Sequence, residues 1–290
     1  MGVNTTNTPV GDPEVKIGAF FDLDKTLLNG ATLLILAPVL YKHKLIDLKT
    51  LMRAGIAAKV FEKLGANEAR MKKMKEVALD IVEGWNHEEV TKLVEGRIEE
   101  LFQPKIFLEA ITLIERHQES GHELFIVSSS PMSLVGPIAE MLGFKLSNVI
   151  ATELATDPEG NYTNQFVRYV DGGRKPFEMQ SIATRSGINL LESYAYSDSV
   201  TDAGMLGCVG FPHAINPDPG LKKLAEANGW PITNFDATSE VRQTTVNRAI
   251  NHPRAPQVGA GAAALITTLT FTRYLLSRAN QVTPLNLPSP

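Results

Sequence analysis

The chain has 290 residues and only one cysteine, Cys208. A single cysteine excludes an intrachain disulfide and suits a reducing compartment, so we expect a cytoplasmic location. The six histidines are scattered and never fall into the paired spacing of zinc ligands, which argues against a zinc site. The formal net charge of −4 gives no overall attraction to nucleic acid, and we expect no nucleic-acid partner.

The sequence also has no clear membrane-spanning run near its C-terminus. A spanning helix needs about 20 apolar residues, whereas the uncharged stretch 258–272 is shorter and its extension to residue 276 includes Arg273. We expect residues 251–290 to form a linker and an apolar C-terminal segment. Three alternatives stay open for 258–276, namely a weak membrane anchor, an interfacial helix and a helix packed on the body of the protein.

The hydrophobic pattern alternates between strands and helices around one long helical block. Residues 1–13 are polar and predict a disordered lead-in. Apolar residues recur every three or four positions through 29–120, which predicts a helical cap. Residues 14–28 and 121–250 carry the strand pattern and predict the core. The predicted strands are 17–21, 123–127, one near Val149, 193–196 and 209–215, with helices at 132–142 and 176–186 and a hairpin within 152–167. The expected fold is α/β, with a Rossmann-like parallel sheet and an inserted helical cap.

Two carboxylates follow the first strand directly. The apolar run 17–21 ends in Asp22 and Asp24, and burying two like charges this close is costly unless a cation lies beside them. A divalent metal with oxygen ligands would answer this need. An aspartate-rich turn capped by Thr26 explains the pair equally well when the pair is taken alone.

Three further polar segments fall where strands end or helices begin. Ser128 follows the second strand, Lys175 opens a helix, and Asp198 and Asp202 follow the strand 193–196. Each one alone suits a turn, a cap or a surface position. Open α/β sheets bind ligands at the carboxyl ends of their strands, so their joint placement favours one shared site.

This ordered set of motifs resembles the haloacid dehalogenase superfamily of phosphatases. The likeness spans residues 17–230 and is greatest to subclass IB, which contains the phosphoserine phosphatases and carries a helical cap of the C1 type. The resemblance implies a phosphoric monoester hydrolase that uses Mg²⁺, forms an aspartyl-phosphate and acts on a small phosphomonoester. Its motifs are specific for this chemistry and much less specific for the substrate.

The resemblance also implies roles for individual residues. Asp22 would be the nucleophile and Asp24 the general acid and base. Ser128 and Lys175 would bind the substrate phosphate. The implied Mg²⁺ ligands are Asp22, the main-chain carbonyl of Asp24, and Asp198, while the supporting roles fall to Thr26, which would brace the Asp24 loop, and Asp202, which would orient Lys175 or a metal-bound water.

The cap departs from the phosphoserine phosphatase pattern. Those enzymes carry a glutamate nine residues after the nucleophile, and this chain has Ala31 there, in an uncharged stretch from Leu27 to Tyr41. An apolar lid gives the charged groups of phosphoserine no partner, so the substrate stays open. Ser197 and Thr201 also replace the usual Gly and Asn of the fourth motif. A lipid-type phosphomonoester is one alternative.

Two other functional alternatives stay open at this point. A phosphotransferase would form the same aspartyl-phosphate and pass the phosphoryl group to an alcohol instead of water. A membrane-associated regulatory protein of low turnover would bind a phosphorylated ligand. The presence of Asp22 and Asp24 favours an enzyme over such a binding protein.

Overall fold

The computed structural model describes residues 15–50, 52, 76–77 and 79–238. Its centre is a seven-stranded sheet in the order β4-β3-β2-β1-β5-β6-β7, in which only the β3–β4 pair is antiparallel. The strands are β1 (Gly18–Phe21), β2 (Glu123–Pro131), β3 (Val149–Thr156), β4 (Tyr162–Arg168), β5 (Tyr194–Ser197), β6 (Phe211–Ile215) and β7 (Ile232–Thr233). The predicted α/β fold with a parallel sheet is confirmed.

The sequence of the central strands explains their place in the sheet. All four residues of β1 and all four of β5 are buried. Strands covered by helices on both faces need such continuous apolar runs. The edge strand β4 instead mixes buried or half-buried positions with exposed ones, which alternate over residues 165–168. This pattern is typical of an antiparallel strand with one face in solvent.

The described helices cover the sheet and occupy much of the described part of the segment between β1 and β2. They are α1 (Thr32–Lys42), α2 (His87–Glu95), α3 (Ile98–Leu101), α4 (Leu108–Glu119), α5 (Met132–Met141), α6 (Lys175–Ser186), α7 (Ala203–Leu206) and α8 (Pro219–Asn228). Helix α6 ends at Gly187, whose φ of 70° is a left-handed conformation that favours glycine. No helix within the described ranges combines the length and the apolar composition needed to cross a bilayer.

The structure differs from the predicted elements in a few places. Strand β2 continues to Pro131 through a register shift, so Ser128 lies within the strand and not after it. The short strand β7 was not predicted, because two residues carry no periodicity. Helix α4 packs against β2. Most of the helical pattern predicted within 45–75 and the whole segment 251–290 lie outside the described residues, as does the lead-in 1–13.

Two segments of the chain, 28–29 and 105–106, lie side by side where the predicted cap meets the core. Leu28 and Ile106 form an antiparallel bridge, and the Asn29 N–H donates to the Lys105 carbonyl at 2.7 Å. These contacts join the residues just after the first motif to the residues just before α4. The core-to-cap boundaries at residues 28 and 120 stay predictions.

A buried aromatic and histidine cluster lies beside the central strands. Phe21 stacks on Tyr196 with ring centroids 4.8 Å apart. The Tyr196 hydroxyl contacts His117 Nε2 at 2.8 Å, and His117 Nδ1 contacts His122 Nδ1 at 2.7 Å. Sequence spacing did not reveal this histidine pair, because His117 ends a helix and His122 precedes the next strand.

The cluster makes stability depend on pH. Burial, together with repulsion from His122 and His213, lowers the pKa of His117 to about 3. In the unfolded chain His117 is protonated as the pH falls below about 6.5, whereas in the folded protein it stays neutral down to about pH 3. The stability that is present at pH 7 is therefore lost as the pH falls. We expect the free energy of unfolding to decrease by up to about 1.4 kcal/mol per pH unit for this residue between pH 6 and pH 4.

Urea unfolding across this pH range tests the expectation. His117→Gln should flatten the slope, although His122 and His213, whose pKa values are also lowered by burial, keep part of it. His43→Gln, at an exposed position, is the matched control and should leave the slope unchanged. An unaltered slope in His117→Gln would contradict the assignment.

Candidate active site

The sheet order brings the predicted motifs to one edge. Strand β1 lies between β2 and β5, with Phe20 in register with both Phe125 and Ala195. Asp22 and Asp198 directly follow β1 and β5, and Ser128 lies in β2 two residues after Ile126, the last β2 position paired with β1, so all three fall at the same edge of the sheet. The Asp22 N–H donates to the Tyr196 carbonyl at 2.9 Å and so extends the β1–β5 pairing to the first carboxylate.

Lys175 joins two of the predicted carboxylates. Its ammonium donates to Asp22 Oδ1 at 2.6 Å and to Asp202 Oδ2 at 2.7 Å. The Lys175 side chain is only 2% exposed, and both carboxylates are buried. The Ser197 hydroxyl donates to the same Asp202 oxygen at 2.7 Å. Asp202 therefore contacts Lys175, and its supporting role stays a prediction. Ser197 is a further partner of Asp202 that sequence reasoning missed.

Burial and charge attraction act in opposite directions on Asp22 and on Lys175. Burial raises the pKa of Asp22 to about 7 against the opposing attraction of Lys175. Burial alone would lower the pKa of Lys175, but attraction to Asp202 and Asp22 outweighs it and the pKa is raised. The ammonium is therefore kept charged between two carboxylates.

One glycine allows the third and fourth motifs to approach each other. A Cβ on Gly172 would lie 2.0 Å from the Thr201 carbonyl oxygen, which is far inside van der Waals contact. Only glycine fits this position, three residues before Lys175 and beside the short helix Val200–Asp202. The close approach places Lys175 within reach of Asp202.

Asp24 has a different set of partners from Asp22. Its Oδ1 accepts hydrogen bonds from the Thr32 N–H at 2.7 Å and from the Thr32 hydroxyl, and its Oδ2 accepts from the Ser130 hydroxyl at 2.9 Å. Thr32 is buried and begins α1. Three donors from the cap and from β2 therefore fix this carboxylate, which is half-buried. The sequence reasoning did not name Thr32 or Ser130.

Thr26 and Ser128 are both buried near the carboxylates. The Thr26 hydroxyl donates to Asp22 Oδ2 at 3.4 Å, whereas the resemblance implied a brace on the Asp24 loop. Ser128 Oγ accepts from the Ser130 N–H at 3.1 Å. This contact lies in the last residues of β2, which lead directly into α5. The N-terminal N–H groups of such a helix favour an anion.

Asp198 completes the predicted acidic set. Burial, followed by repulsion from Asp22, raises the pKa of Asp198 to about 8. Its main-chain carbonyl accepts from the Asp218 N–H at 2.7 Å, and Asp218 in turn caps α8 and accepts from the Val200 N–H at 3.0 Å. The 198–202 loop is therefore held from both sides.

The donor set fits a hard divalent cation. Asp22 and Asp198 are buried carboxylates that repel each other, and an oxygen-binding cation between them would relieve this cost. Within the described ranges no cluster of three or more His, Cys, Asp or Glu side chains has a metal-binding arrangement. The Mg²⁺ ligands that the resemblance implies are only two side chains, Asp22 and Asp198, together with the main-chain carbonyl of Asp24. Such a site does not need a cluster of three side chains.

Comparison with known proteins identifies relatives along most of the chain. The family model for haloacid dehalogenase-like hydrolase matches residues 19–207. The chain is 36% identical to the inhibition of morphological differentiation protein of Streptomyces azureus, over 92% of this chain and 94% of that protein. It is 30% identical to a phosphoserine phosphatase of Mycobacterium tuberculosis, over 87% of this chain and 80% of that protein.

A solved structure supports the fold. The chain matches a phospho-aspartyl intermediate analogue of phosphoserine phosphatase with a TM-score of 0.57 and 20% identity, over 81% of this chain and 99% of that one. The matched family region contains Asp22, Ser128, Lys175 and Asp198.

Proposed function

Because this chain belongs to the haloacid dehalogenase-like hydrolases and is a phosphatase, we propose that it hydrolyses small phosphomonoesters with Mg²⁺ through an aspartyl-phosphate on Asp22. The observation that carries the proposal is the contrast between two neighbouring carboxylates. Asp22 bonds the buried ammonium of Lys175, whereas Asp24 is held by hydroxyl and amide donors. This contrast supports attack by Asp22 and proton transfer by Asp24.

The first step transfers the phosphoryl group to the protein. A carboxylate oxygen of Asp22 forms a bond to phosphorus as the ester P–O bond breaks, and Asp24 gives its proton to the leaving oxygen. Lys175 and Ser128 hold the phosphate oxygens, and the positive charge of Lys175 offsets the charge that develops on them. Mg²⁺, when bound by Asp22, Asp198 and the Asp24 carbonyl, supplies further charge neutralisation.

The second step releases phosphate. Asp24 takes a proton from water, whose oxygen bonds to phosphorus while the bond to Asp22 breaks. Asp24 ends the cycle protonated and Asp22 ends it as a carboxylate, so the residues return to their starting states. Thr32 and Ser130 keep Asp24 in place through both steps. The catalysis therefore rests mainly on positioning and charge neutralisation.

Phosphate release from p-nitrophenyl phosphate tests the proposal. We expect Mg²⁺-dependent turnover that stops when a chelator removes the ion and returns when Mg²⁺ is added. Added acceptor alcohols separate hydrolysis from phosphotransfer, because a phosphotransferase would form new phosphate esters at the expense of inorganic phosphate. The absence of turnover under all metal conditions would overturn the proposed function.

Mg²⁺ binding has a readout that does not depend on turnover. We expect saturating Mg²⁺ to raise the melting temperature, since a ligand at about 100 times its Kd stabilises a fold by about 2.7 kcal/mol. Asp198→Asn should lose most of this shift, because one of the two buried carboxylates is neutralised. Asp236→Asn, at an exposed position outside the site, is the control. An undiminished shift in Asp198→Asn would remove Asp198 from the ligand set.

The described part of the lid does not determine the substrate. Ala31 precedes α1 and supplies no charged group. Within α1, Leu36 is fully buried, whereas Leu34 is 42% exposed. One face of the lid helix therefore packs inside the cap, which accounts for much of its apolar sequence. A phosphoserine substrate and a lipid-type substrate both stay proposals.

A further inference from the structure

A groove lies between the cap and the core beside the proposed active site. It has a volume of about 310 Å³ and is bounded by α2, α5 and the β3–β4 hairpin. Its walls include the apolar side chains of Met132, Pro137, Leu146 and Leu154. Neither the phosphate chemistry nor the proposed Mg²⁺ site uses it.

One end of the groove lies beside Ser130, a partner of Asp24 at the end of β2. Pro131 and Met132 line it, and Ser130, the residue just before them, donates to Asp24 Oδ2 at 2.9 Å. Thr152, which pairs with Pro131 across β2 and β3, lines the same end. This end of the groove therefore lies next to the residue that contacts Asp24.

The groove then follows helix α5 away from the end of β2. Met132 and Glu140 both line it, and eight residues of α-helix span about 12 Å. Gly136 and Pro137 lie between them on the same wall. The space is therefore elongated, and its far end is too distant for a short leaving group such as serine.

The charge of the groove is negative. The described residues that line it include the three glutamates Glu95, Glu140 and Glu153, and no lysine or arginine. Glu153 pairs with Arg168, whereas Glu95 and Glu140 are exposed and form no ion pair within the described part of the chain. A cation at the far end would therefore be attracted and an anion repelled.

We propose that the groove binds the leaving alcohol of the substrate, and that this alcohol has an apolar middle and a positively charged amine at its far end. The inference rests on the proposed phosphatase function and narrows its substrate class. It disfavours phosphomonoesters that end in a carboxylate, since that group would lie next to the exposed carboxylate of Glu140. In this proposal Glu140 on the core helix α5 recognises the charge of the leaving alcohol. The lid has the uncharged Ala31 at the position where phosphoserine phosphatases carry a glutamate.

Three phosphates with eight-carbon chains test the inference, namely aminooctyl, octyl and carboxyheptyl phosphate. Each kcat/KM is divided by that for methyl phosphate, which is too short to reach Glu140. The normalised values should fall in the order amine, neutral, carboxylate, with about 5-fold between steps, as expected for a largely exposed charge pair. Glu140→Lys should reverse the order, and Glu226→Lys, on the exposed face of α8, should keep it.

The outcomes separate this inference from the proposed function. Hydrolysis of methyl phosphate with no charge preference among the longer esters would overturn the groove assignment and leave the phosphatase intact. Charge preference that persists unchanged in Glu140→Lys would also overturn it. Failure to hydrolyse any of the four esters, with p-nitrophenyl phosphate also inert, would instead overturn the proposed function.

Discussion

Replacing Asp22 with Asn is expected to lower kcat for p-nitrophenyl phosphate by about 10⁴-fold or more. The amide has no anionic oxygen to attack phosphorus, yet it has nearly the same shape as the carboxylate. Its carbonyl oxygen can still accept from Lys175, whose ammonium lies 2.6 Å from Asp22 Oδ1 in the wild type. Substrate binding should therefore suffer much less than turnover. Initial rates across a substrate series separate kcat from KM.

The matched control for this variant is Asp236→Asn. Asp236 is exposed and lies outside the site, so its kcat should stay within about 2-fold of the wild type. Circular dichroism and a melting curve show whether Asp22→Asn is folded. A folded Asp22→Asn protein that keeps more than a tenth of the wild-type kcat would exclude Asp22 as the nucleophile.

Replacing Lys175 with Met is expected to reduce both stability and turnover. The Lys175 side chain is 2% exposed and forms ion pairs with two buried carboxylates. Its loss therefore leaves the negative charges of Asp22 and Asp202 buried without a positive partner. Breaking a buried ion pair in this way costs about 3–5 kcal/mol. Turnover should fall as well, by about 10²-fold to 10³-fold, because a charge that neutralises phosphate is gone. Urea unfolding at pH 7 and initial rates measure the two losses.

A second variant isolates the electrostatic part of this cost. Asp202→Asn removes one of the two carboxylates that Lys175 neutralises, so adding it to Lys175→Met should recover about 1–2 kcal/mol relative to the sum of the single losses. Purely steric damage from methionine would give additive losses. Additivity within about 0.3 kcal/mol would contradict the proposed charge network.

Much of the sheet could be predicted from the sequence. The run Gly18–Phe21 and the run Tyr194–Ser197 are short, apolar and rich in aromatic or small residues, and each is followed at once by a carboxylate. Buried parallel strands require this composition, and the chain enters the ligand-binding edge only where they end. Asp22 and Asp198 could therefore be placed at one edge before their partners were known.

The partners of Asp24 could not be predicted. Thr32 and Ser130 are ordinary helix-start and loop residues in sequence, and Ser130 lies 106 positions from Asp24. Their contacts depend on how the cap meets the core, which no local periodicity encodes. The same reason explains why the contact of His117 with Tyr196, 79 positions away, was missed.

The substrate was the least accessible part from sequence. Ala31 indicated only what the lid lacks, whereas the groove beside α5 depends on Glu95, Glu140 and Glu153 from three separate elements. The predicted membrane contact of 258–276 lies outside the described residues and stays a prediction.

Chemical trapping of the phosphorylated residue tests the central claim most directly. Enzyme quenched during turnover and reduced with borohydride converts an aspartyl-phosphate into homoserine, and trypsin then releases the peptide 17–25, which contains both Asp22 and Asp24. Fragmentation by mass spectrometry should place homoserine at residue 22 only. Homoserine at residue 24, or an unmodified peptide from an enzyme shown to be turning over, would contradict covalent catalysis through Asp22.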